Sequence, residues 1–184
     1  MIRHHWFPKP YADVVARLRV PSGFLLVAAF GWLAKPDLES LAIGLPVAFA
    51  GLALRAWAAG CLAKNQNLAT GGPYAHVRNP LYVGTLVVAA GLAIAARRWL
   101  LAGIFGAVFA LVYLPVIEQE EQHLRKLFPE FAAYAERIPM LWPRLGSQPG
   151  GTAFSWRLYR RNQEYNALAG LLAGVLFLLW KAWR

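Results

Sequence analysis

The sequence has few of the residues on which small soluble proteins depend. Cys61 is its only cysteine, so a disulfide within the chain is excluded, and its apolar neighbours favour a buried thiol. Only 9 residues are acidic against 19 Lys and Arg, and charged residues make up 15% of the chain, where about 25% is usual in soluble domains. The composition therefore favours a lipid bilayer over water around most of the chain.

Several kinds of site are also missing from the sequence. The stretch from Met1 to Trp6 lacks a compact apolar core followed by a small-residue cleavage site, so no removable signal peptide is predicted. His76 and His123 have no partners at metal-ligand spacing. The net charge of +10 comes from basic residues that flank apolar runs, which is typical of contact with anionic lipid headgroups. Membrane lipids are therefore the predicted partners, with no nucleic acid and no metal.

Long apolar runs occupy most of the chain. Hydrophobic residues make up 58% of it, and a membrane-crossing helix needs about 20 consecutive residues that are mostly apolar. Five such helices are predicted, at about 16–34, 40–63, 81–97, 98–117 and 166–183. The third and fourth are short and are joined only by Arg97-Arg98, which predicts a tight helical hairpin. The predicted fold is one all-α polytopic membrane domain that spans residues 1–184.

The distribution of positive charge predicts the orientation of these helices. With the N-terminus in the cytoplasm, thirteen Lys and Arg fall on the cytoplasmic side and five on the other, as the usual bias requires. Arg97-Arg98 is an exception on the far side, and Arg55 lies inside the second helix. The polar segment 118–165 is then cytoplasmic. Its first part has apolar residues at helical spacing, which predicts a helix on the membrane surface, and 146–151 predicts a flexible loop.

Two polar clusters flank the predicted hairpin. The first is the run from Thr70 to Gly84, which contains Asn79-Pro80, and the second is Glu120-Glu121. Because the chain crosses the apolar layer and returns between them, both clusters are expected on one face of the membrane. Pro80 suits the first position of a helix and Asn79 its N-cap, and the free amides of a helix start favour an anion.

Each of these features also has a purely structural explanation when it is taken alone. Asn79-Pro80 is compatible with an ordinary helix start, Gly71-Gly72-Pro73 with a turn, and Glu120-Glu121 with a solvated helix at a membrane boundary. Tyr82 is compatible with an interfacial aromatic residue. Their coincidence at hairpin spacing favours a functional site.

The same residues resemble a known family. Gly72-Pro73-Tyr74, the run from Arg78 to Gly84, and Glu120-Glu121 followed by Leu124 are similar to the integral-membrane methyltransferases of the isoprenylcysteine carboxyl methyltransferase and phospholipid methyltransferase group. The resemblance covers about residues 60–144. It implies S-adenosylmethionine as methyl donor, bound where the membrane meets the cytoplasm.

The resemblance also implies site residues. Glu120 is the better match for a direct contact with the donor, and Glu120 and Glu121 are the catalytic candidates. Independently of the resemblance, Arg55 is a candidate because it is a charge inside the second predicted helix; a structural role and substrate binding are equally compatible with it, and its expected partner is an anionic substrate headgroup or the Glu120-Glu121 pair. The implied cofactor pocket consists of Gln66, Asn67, Leu68, Ala69, Tyr74, Asn79, Pro80, Leu81, Tyr82 and Glu120.

One residue departs from the family pattern. The family usually has His at the position of Asn79. An amide can cap a helix and form hydrogen bonds, but it cannot accept a proton or become cationic. A mechanism that uses this position as a base is therefore excluded here, and the subclass of substrate is left open.

The predicted function is methyl transfer from S-adenosylmethionine to a lipophilic acceptor that enters from the bilayer. A carboxylate acceptor needs no base, whereas a protonated amine must lose a proton, for which Glu120 or Glu121 is the nearest candidate. One alternative is a membrane reductase acting on sterol or isoprenoid substrates with a nicotinamide cofactor. Another is a non-catalytic lipid-binding protein. The pair Gly170 and Gly174 is compatible with close helix packing and leaves the oligomeric state undecided.

The orientation can be tested with single cysteines in a Cys61→Ala background. Gly71→Cys and Ser147→Cys are expected to be protected from a membrane-impermeant thiol reagent in intact cells, because both positions are predicted to be cytoplasmic. Asp37→Cys is expected to react. Reaction of positions 71 and 147 from opposite sides of the membrane would contradict a shared active-site face.

Overall fold

The computed structural model describes residues 6–144 and 152–184, and these are helical with no strand. The predicted all-α polytopic membrane fold is confirmed. The helices are α1 (Lys9–Leu33), α2 (Leu38–Gly60), α3 (Pro80–Ala95), α4 (Trp99–Val108), α5 (Leu114–Leu127), α6 (Phe131–Arg137), α7 (Trp156–Arg161) and α8 (Tyr165–Ala182), with a short 3-10 turn at Gly72–Ala75.

Within the described residues, three helices are long and apolar enough to cross a membrane: α2, the run from Trp99 to Leu127, and α8. The run includes α4, a π-helical segment at Phe109–Tyr113 and α5, so the fourth predicted helix continues without a break beyond residue 117. α1 is bent by 54° between Lys9–Leu18 and Val20–Leu33, and the pair would make a fourth crossing. α3, the third predicted helix, is apolar but has 16 residues, fewer than the usual ~20. By length and composition the described residues therefore contain three or four crossing helices, fewer than the five predicted.

α2 and α3 form an antiparallel pair whose backbones touch at glycines. A Cβ added at Gly44 would lie 2.3 Å from the Ala95 nitrogen and 2.5 Å from the Gly91 oxygen. At Gly51 it would lie 2.7 Å from the Gly84 oxygen. Small residues allow such close approach between membrane helices, where contacts between backbones replace the missing hydrophobic force. The pair places the loop 61–79 at one end and the α3–α4 turn at the other.

α1 lies against the continuous helix that follows the hairpin. The Tyr11 hydroxyl donates to the Leu111 carbonyl over 2.6 Å, inside the π-helical segment, where the wider turn changes the backbone bonding. The Glu118 carboxylate accepts from the amides of Trp6 and Phe7 over 2.8 and 3.2 Å. These bonds tie the start of α1 to α5.

The segment after α6 returns to the end of α2. The Ser155 amide donates to the Gly60 carbonyl over 2.9 Å, and the Asn162 side chain donates to the carbonyls of Ala59 and Leu62 over 2.8 and 2.9 Å. Polar groups left over at the C-terminus of α2 are thereby satisfied. The predicted surface segment 118–165 is thus divided among α5, α6 and α7. The predicted flexible loop 146–151, with Ser147, lies outside the described residues.

Substitution of a glycine in the α2–α3 contact should lower stability more than substitution of a glycine that has no close neighbour. Gly44→Ala is expected to lower the thermal unfolding midpoint, because overpacking of close contacts costs about 1–3 kcal/mol. Gly103→Ala is the matched control, since a Cβ there would meet nothing within 4 Å. Unfolding of both variants in detergent, followed by circular dichroism, measures the difference. Equal midpoints would contradict tight α2–α3 packing.

Candidate active site

The candidate site lies where the loop between α2 and α3 meets α5 and α6. The 3-10 turn Gly72–Ala75 is buried throughout. Gly72 has φ +58, a conformation that favours glycine, and a Cβ there would lie 3.0 Å from the Cys61 sulfur. The glycine therefore allows the loop to fold back on the end of α2. Residue Gly71 is buried too, so the exposed Lys64 of the same loop is the better position for cysteine labelling.

The segment after α6 covers this loop. The Arg78 amide donates to the Pro139 carbonyl over 2.9 Å, and the Arg144 amide donates to the His76 carbonyl over 2.9 Å. The His76 Nδ1 atom lies 3.1 Å from the Arg144 carbonyl. The first polar cluster of the sequence is therefore enclosed between α5 and the chain that follows α6.

A buried ion pair joins the two clusters that the sequence predicts on one face. The Nε of Arg78 donates to Oε1 of Glu121 over 2.9 Å, and the two side chains are 13% and 12% exposed. The Asn79 amide donates to the same oxygen over 3.0 Å, and Arg78 Nη1 donates to the Ala135 carbonyl over 2.6 Å. Charge-assisted bonds of this kind are stronger than neutral ones. The end of α5 is therefore fixed to the start of α3.

The interpretation of Asn79 as a side-chain cap is wrong, although its position is right. Asn79 precedes α3 and Pro80 is the first helical residue, but the Asn79 side chain makes no capping hydrogen bond. Its amide donates instead to Glu121 and, over 3.3 Å, to the Met140 carbonyl. The cause is the acceptor supplied by α5, which no local pattern reveals.

Tyr74 carries a buried hydroxyl that has no hydrogen-bond partner among the described residues. Its side chain is 6% exposed, and the Tyr134 hydroxyl donates to the Tyr74 carbonyl over 2.7 Å. Burial raises the pKa of Tyr74 well above its usual range, and the nearby Tyr134, Cys61, Glu120 and Glu164 raise it further. The hydroxyl therefore stays protonated and able to donate.

The two adjacent glutamates have different surroundings. Glu121 is buried in its ion pair, whereas Glu120 is exposed on the other side of the helix and is close enough to Tyr74 to raise its pKa. Consecutive residues of a helix point about 100° apart, so the sequence pair divides into an inward and an outward carboxylate. Glu121 is held in the ion pair with Arg78, and the exposed Glu120 acts on Tyr74 through its charge.

The remaining predicted cofactor residues line the loop at different depths. Gln66 and Asn67 are exposed, Leu68 and Ala69 are half-buried, and Ala69 and Leu81 pack on the cluster formed by Ala58, Cys61 and Tyr74. With its amide suitably oriented, the Gln66 oxygen accepts from Arg161 of α7 over 2.9 and 3.1 Å.

Tyr82 is buried on α3. Its ring meets Tyr113 edge to face, with the ring centroids 6.0 Å apart. Tyr82 thus connects α3 with the π-helical segment.

Arg55 is engaged by residues of three elements. Its Nε and Nη2 donate to Glu164 over 2.6 and 3.0 Å, and its Nη1 donates to Thr85 over 2.5 Å and to the Leu81 carbonyl over 3.4 Å. The structure therefore pairs this intramembrane charge with Glu164 and not with Glu120 or Glu121.

Sequence reasoning missed Glu164, Tyr134 and the role of Arg78. Arg78 stood inside the quoted motif, and its position between the apolar Val77 and the start of a membrane helix was a signal for a paired charge. Glu164 is 109 residues from Arg55, and no periodicity relates them.

The residues present fit the predicted methyl donor. S-adenosylmethionine carries a cationic sulfonium and an amino group, which favour a nearby carboxylate, and several polar atoms able to accept a hydrogen bond. An unpartnered buried hydroxyl at Tyr74 and an exposed carboxylate at Glu120 offer these two kinds of contact. Asn79 and Glu121 are already bonded to each other and hold the surrounding backbone.

The ion pair of Glu121 predicts a large effect on stability. Glu121→Gln leaves Arg78 without its charge partner in a nearly buried place, and breaking a buried pair costs about 3–5 kcal/mol. Arg97→Gln is the control, because the Arg97–Asp37 pair is 69% and 37% exposed and should contribute little. Thermal unfolding in detergent measures both. A Glu121→Gln midpoint as high as that of Arg97→Gln would show that the buried pair does not hold the site together.

The part of the chain that contains the site matches a known protein family. Residues 47–130 match the family model described as phospholipid methyltransferase. This range contains all of the predicted site residues, from Arg55 to Glu121.

Two curated relatives extend the comparison. The cobalt-zinc-cadmium resistance protein CzcN of Cupriavidus metallidurans is 39% identical over 92 residues, which are 50% of this chain and 43% of that protein. The nickel-cobalt-cadmium resistance protein NccN of Alcaligenes xylosoxydans xylosoxydans is 38% identical over 116 residues, 62% of this chain and 53% of that protein. The chain thus spans about half the length of these relatives, and no solved structure matches it. Residues 47–130 therefore carry a phospholipid methyltransferase domain, and the resemblance to the integral-membrane methyltransferases is confirmed.

Proposed function

We propose that this protein transfers a methyl group from S-adenosylmethionine to a lipid-related acceptor that reaches the site from the bilayer. The observation that carries the proposal is the place of Tyr74 and Glu120. Both residues lie within the family match: Tyr74 has a buried hydroxyl without a hydrogen-bond partner in the described part of the chain, and Glu120 has an exposed carboxylate whose charge raises the pKa of Tyr74.

The donor, when bound, supplies an activated methyl group on a cationic sulfur. Toward it the Tyr74 hydroxyl donates a hydrogen bond, and the Glu120 carboxylate favours its positive charge. Burial of the 3-10 turn and of Pro80 excludes water from one side of this space. Methyl transfer depends mainly on alignment of the reacting atoms in a site from which water is excluded, and rigid surroundings provide that alignment.

Glu121, Arg78 and Asn79 act as positioning residues in this proposal. Glu121 Oε1 already accepts from both partners, so the group is nearly neutral and rigid. Both contacts hold the Glu121 carboxylate in place, so its part in the proposal is to position the backbone around the site. For an amine acceptor the proton goes to Glu120, and for a carboxylate acceptor no base is needed.

Arg55 as a substrate-binding residue remains a prediction. Its guanidinium is directed to Glu164, Thr85 and Leu81, so an anionic headgroup would have to compete with the Glu164 carboxylate. A structural role, in which the pair holds α8 against α2 and α3, accounts for all of the contacts seen.

The active site is proposed to face the cytoplasm. The support is the excess of Lys and Arg on the side of the loop 61–79 and of α5 to α7.

The relatives' names refer to resistance against metal ions, and a lipid-directed reaction in the same membrane is compatible with such a setting. In residues 6–144 and 152–184 there is no group of three His, Cys, Asp or Glu placed to hold a metal ion.

The proposal predicts that the purified protein binds S-adenosylmethionine and that Tyr74→Phe binds it more weakly. Loss of one hydrogen bond should reduce affinity about three- to tenfold. The fold should be as stable as before or more so, because Tyr74→Phe removes a buried hydroxyl that has no partner in the part of the chain that the structure describes. Calorimetric titration in detergent measures affinity, and thermal unfolding measures stability.

Two matched variants give the controls. Tyr134→Phe removes a hydroxyl that does have a partner, so it should lower stability by about 0.5–1.5 kcal/mol. Glu120→Gln should weaken donor binding without the loss of stability expected of Glu121→Gln. Failure of folded protein to bind the donor at millimolar concentration would overturn the proposal, and binding of a nicotinamide cofactor instead would favour the reductase.

A further inference from the structure

A groove of about 300 Å³ lies at the end of the helices opposite the candidate active site. It is formed by the start of α2 and by the turn between α3 and α4. Its polar lining is Asp37, Glu39, Arg97 and Arg98, and apolar side chains such as Ile43 and Ile94 continue it along the helices. The groove thus has a charged end beside an apolar one.

The charged end contains both signs. Arg97 has φ +52, a conformation that is unfavourable for a residue with a side chain, and its guanidinium pairs with Asp37. Arg98 Nε donates to the Leu33 carbonyl over 3.2 Å, and Glu39 is exposed in the first turn of α2. Hydrogen bonding from the Ser40 amide lowers the pKa of Asp37, with a smaller effect of Arg97, so this carboxylate stays ionised.

Exposed tryptophans mark this end as a membrane surface. Trp32, Trp99 and Trp183 are 86%, 88% and 90% exposed, and they lie at the ends of α1, α4 and α8 that are near the groove. Tryptophan is enriched where the bilayer meets water. Trp99 also lines the groove. The charged end is therefore at the height of lipid headgroups, and the apolar end is at the height of acyl chains.

We propose that this groove binds one phospholipid of the leaflet opposite the active site, with a headgroup that carries both a phosphodiester and a primary ammonium group. The phosphodiester lies against Arg98, the ammonium against Glu39, and an acyl chain along Ile43 and Ile94, while Arg97 and Asp37 stay paired with each other beside the headgroup. Such a site gives a reason for Arg97-Arg98, the two arginines that lie on the side of the membrane where few basic residues are expected.

The carboxylates select among lipids. A headgroup with a net negative charge would meet two arginines but also two carboxylates, and like charges close together are unfavourable. A zwitterionic headgroup satisfies both Arg98 and Glu39. The site is separate from the proposed methyl-transfer chemistry and does not depend on it.

The test is lipid binding to the delipidated full chain, measured by native mass spectrometry. Phosphatidylethanolamine is expected to bind at least fivefold more tightly than phosphatidylglycerol. Arg98→Gln should weaken phosphatidylethanolamine binding at least fivefold, and Glu39→Gln should reduce the preference between the two lipids. Lys35→Gln is the matched control, because Lys35 is an exposed cation on the same face that does not line the groove, and it should bind as the unaltered chain does.

Other results would overturn the proposal. These are equal binding of the two lipids, unchanged binding by Arg98→Gln, or an equal loss in Lys35→Gln. Soluble glycerophosphoethanolamine is expected to bind at least a hundredfold more weakly than the lipid, and equal affinity would rule out a lipid as the occupant. Should Arg98→Gln fail to fold, Glu39→Gln alone decides, and an unchanged lipid preference in that variant counts against the site.

Discussion

The close contact between the backbones of α2 and α3 is the constraint on which the rest of the structure depends. In a membrane, lipid tails compete with side chains for apolar contact, so helices associate where small residues let their backbones meet. Gly44 and Gly51 provide this on α2, and Gly84 and Gly91 provide it on α3. Because these helices are antiparallel, their contact fixes both ends of the pair: the loop with Tyr74 at one end and the groove with Arg97 at the other.

Gly84 both allows α2 and α3 to pack closely and leaves space for the Arg55 side chain. A Cβ at Gly84 would lie 2.5 Å from Cγ of Arg55. Gly84, the last residue of the run from Arg78 to Gly84, therefore makes room for Arg55 on the neighbouring helix α2. Arg55 then reaches Thr85 of α3 and Glu164 before α8, so one buried pair joins three parts of the chain.

The sequence predicted those features that depend on local patterns. Pro80 at the start of α3, the return of the chain after Arg97-Arg98 and the common end of the two polar clusters all follow from hydropathy and from proline geometry. The burial of Glu121 could also have been predicted, because Glu121 is four residues after the apolar Ile117 and three before Leu124, and these spacings place all three on one side of a helix. The sequence analysis named both Glu120 and Glu121 as catalytic candidates. Only Glu121 lies on the buried side of α5, and this difference gives the two residues different roles.

The features that could not be predicted depend on distant partners. The cap expected of Asn79 required its side-chain oxygen to accept from an amide at the start of α3, whereas in the fold its Nδ2 group donates to Glu121 and no capping bond forms. The partner of Arg55 could not be predicted for the same reason, because any acidic residue at the same depth in the membrane could form the ion pair that Glu164 forms. Tertiary placement of a single carboxylate decides each case, and periodicity carries no information about it.

The presence of Asn where the family usually has His follows physically from this arrangement. Glu121 Oε1 already accepts a charged donor from Arg78, so the second donor completes its hydrogen bonding without needing a charge. The Asn79 amide is a neutral donor and adds no charge beside the Arg78–Glu121 ion pair. A histidine could donate to the same oxygen, but it would add a proton near pH 6.5 and place a second cation beside Arg78. With Asn79, the second donor to Glu121 is neutral, and the contact between the start of α3 and α5 does not depend on a titrating side chain at position 79.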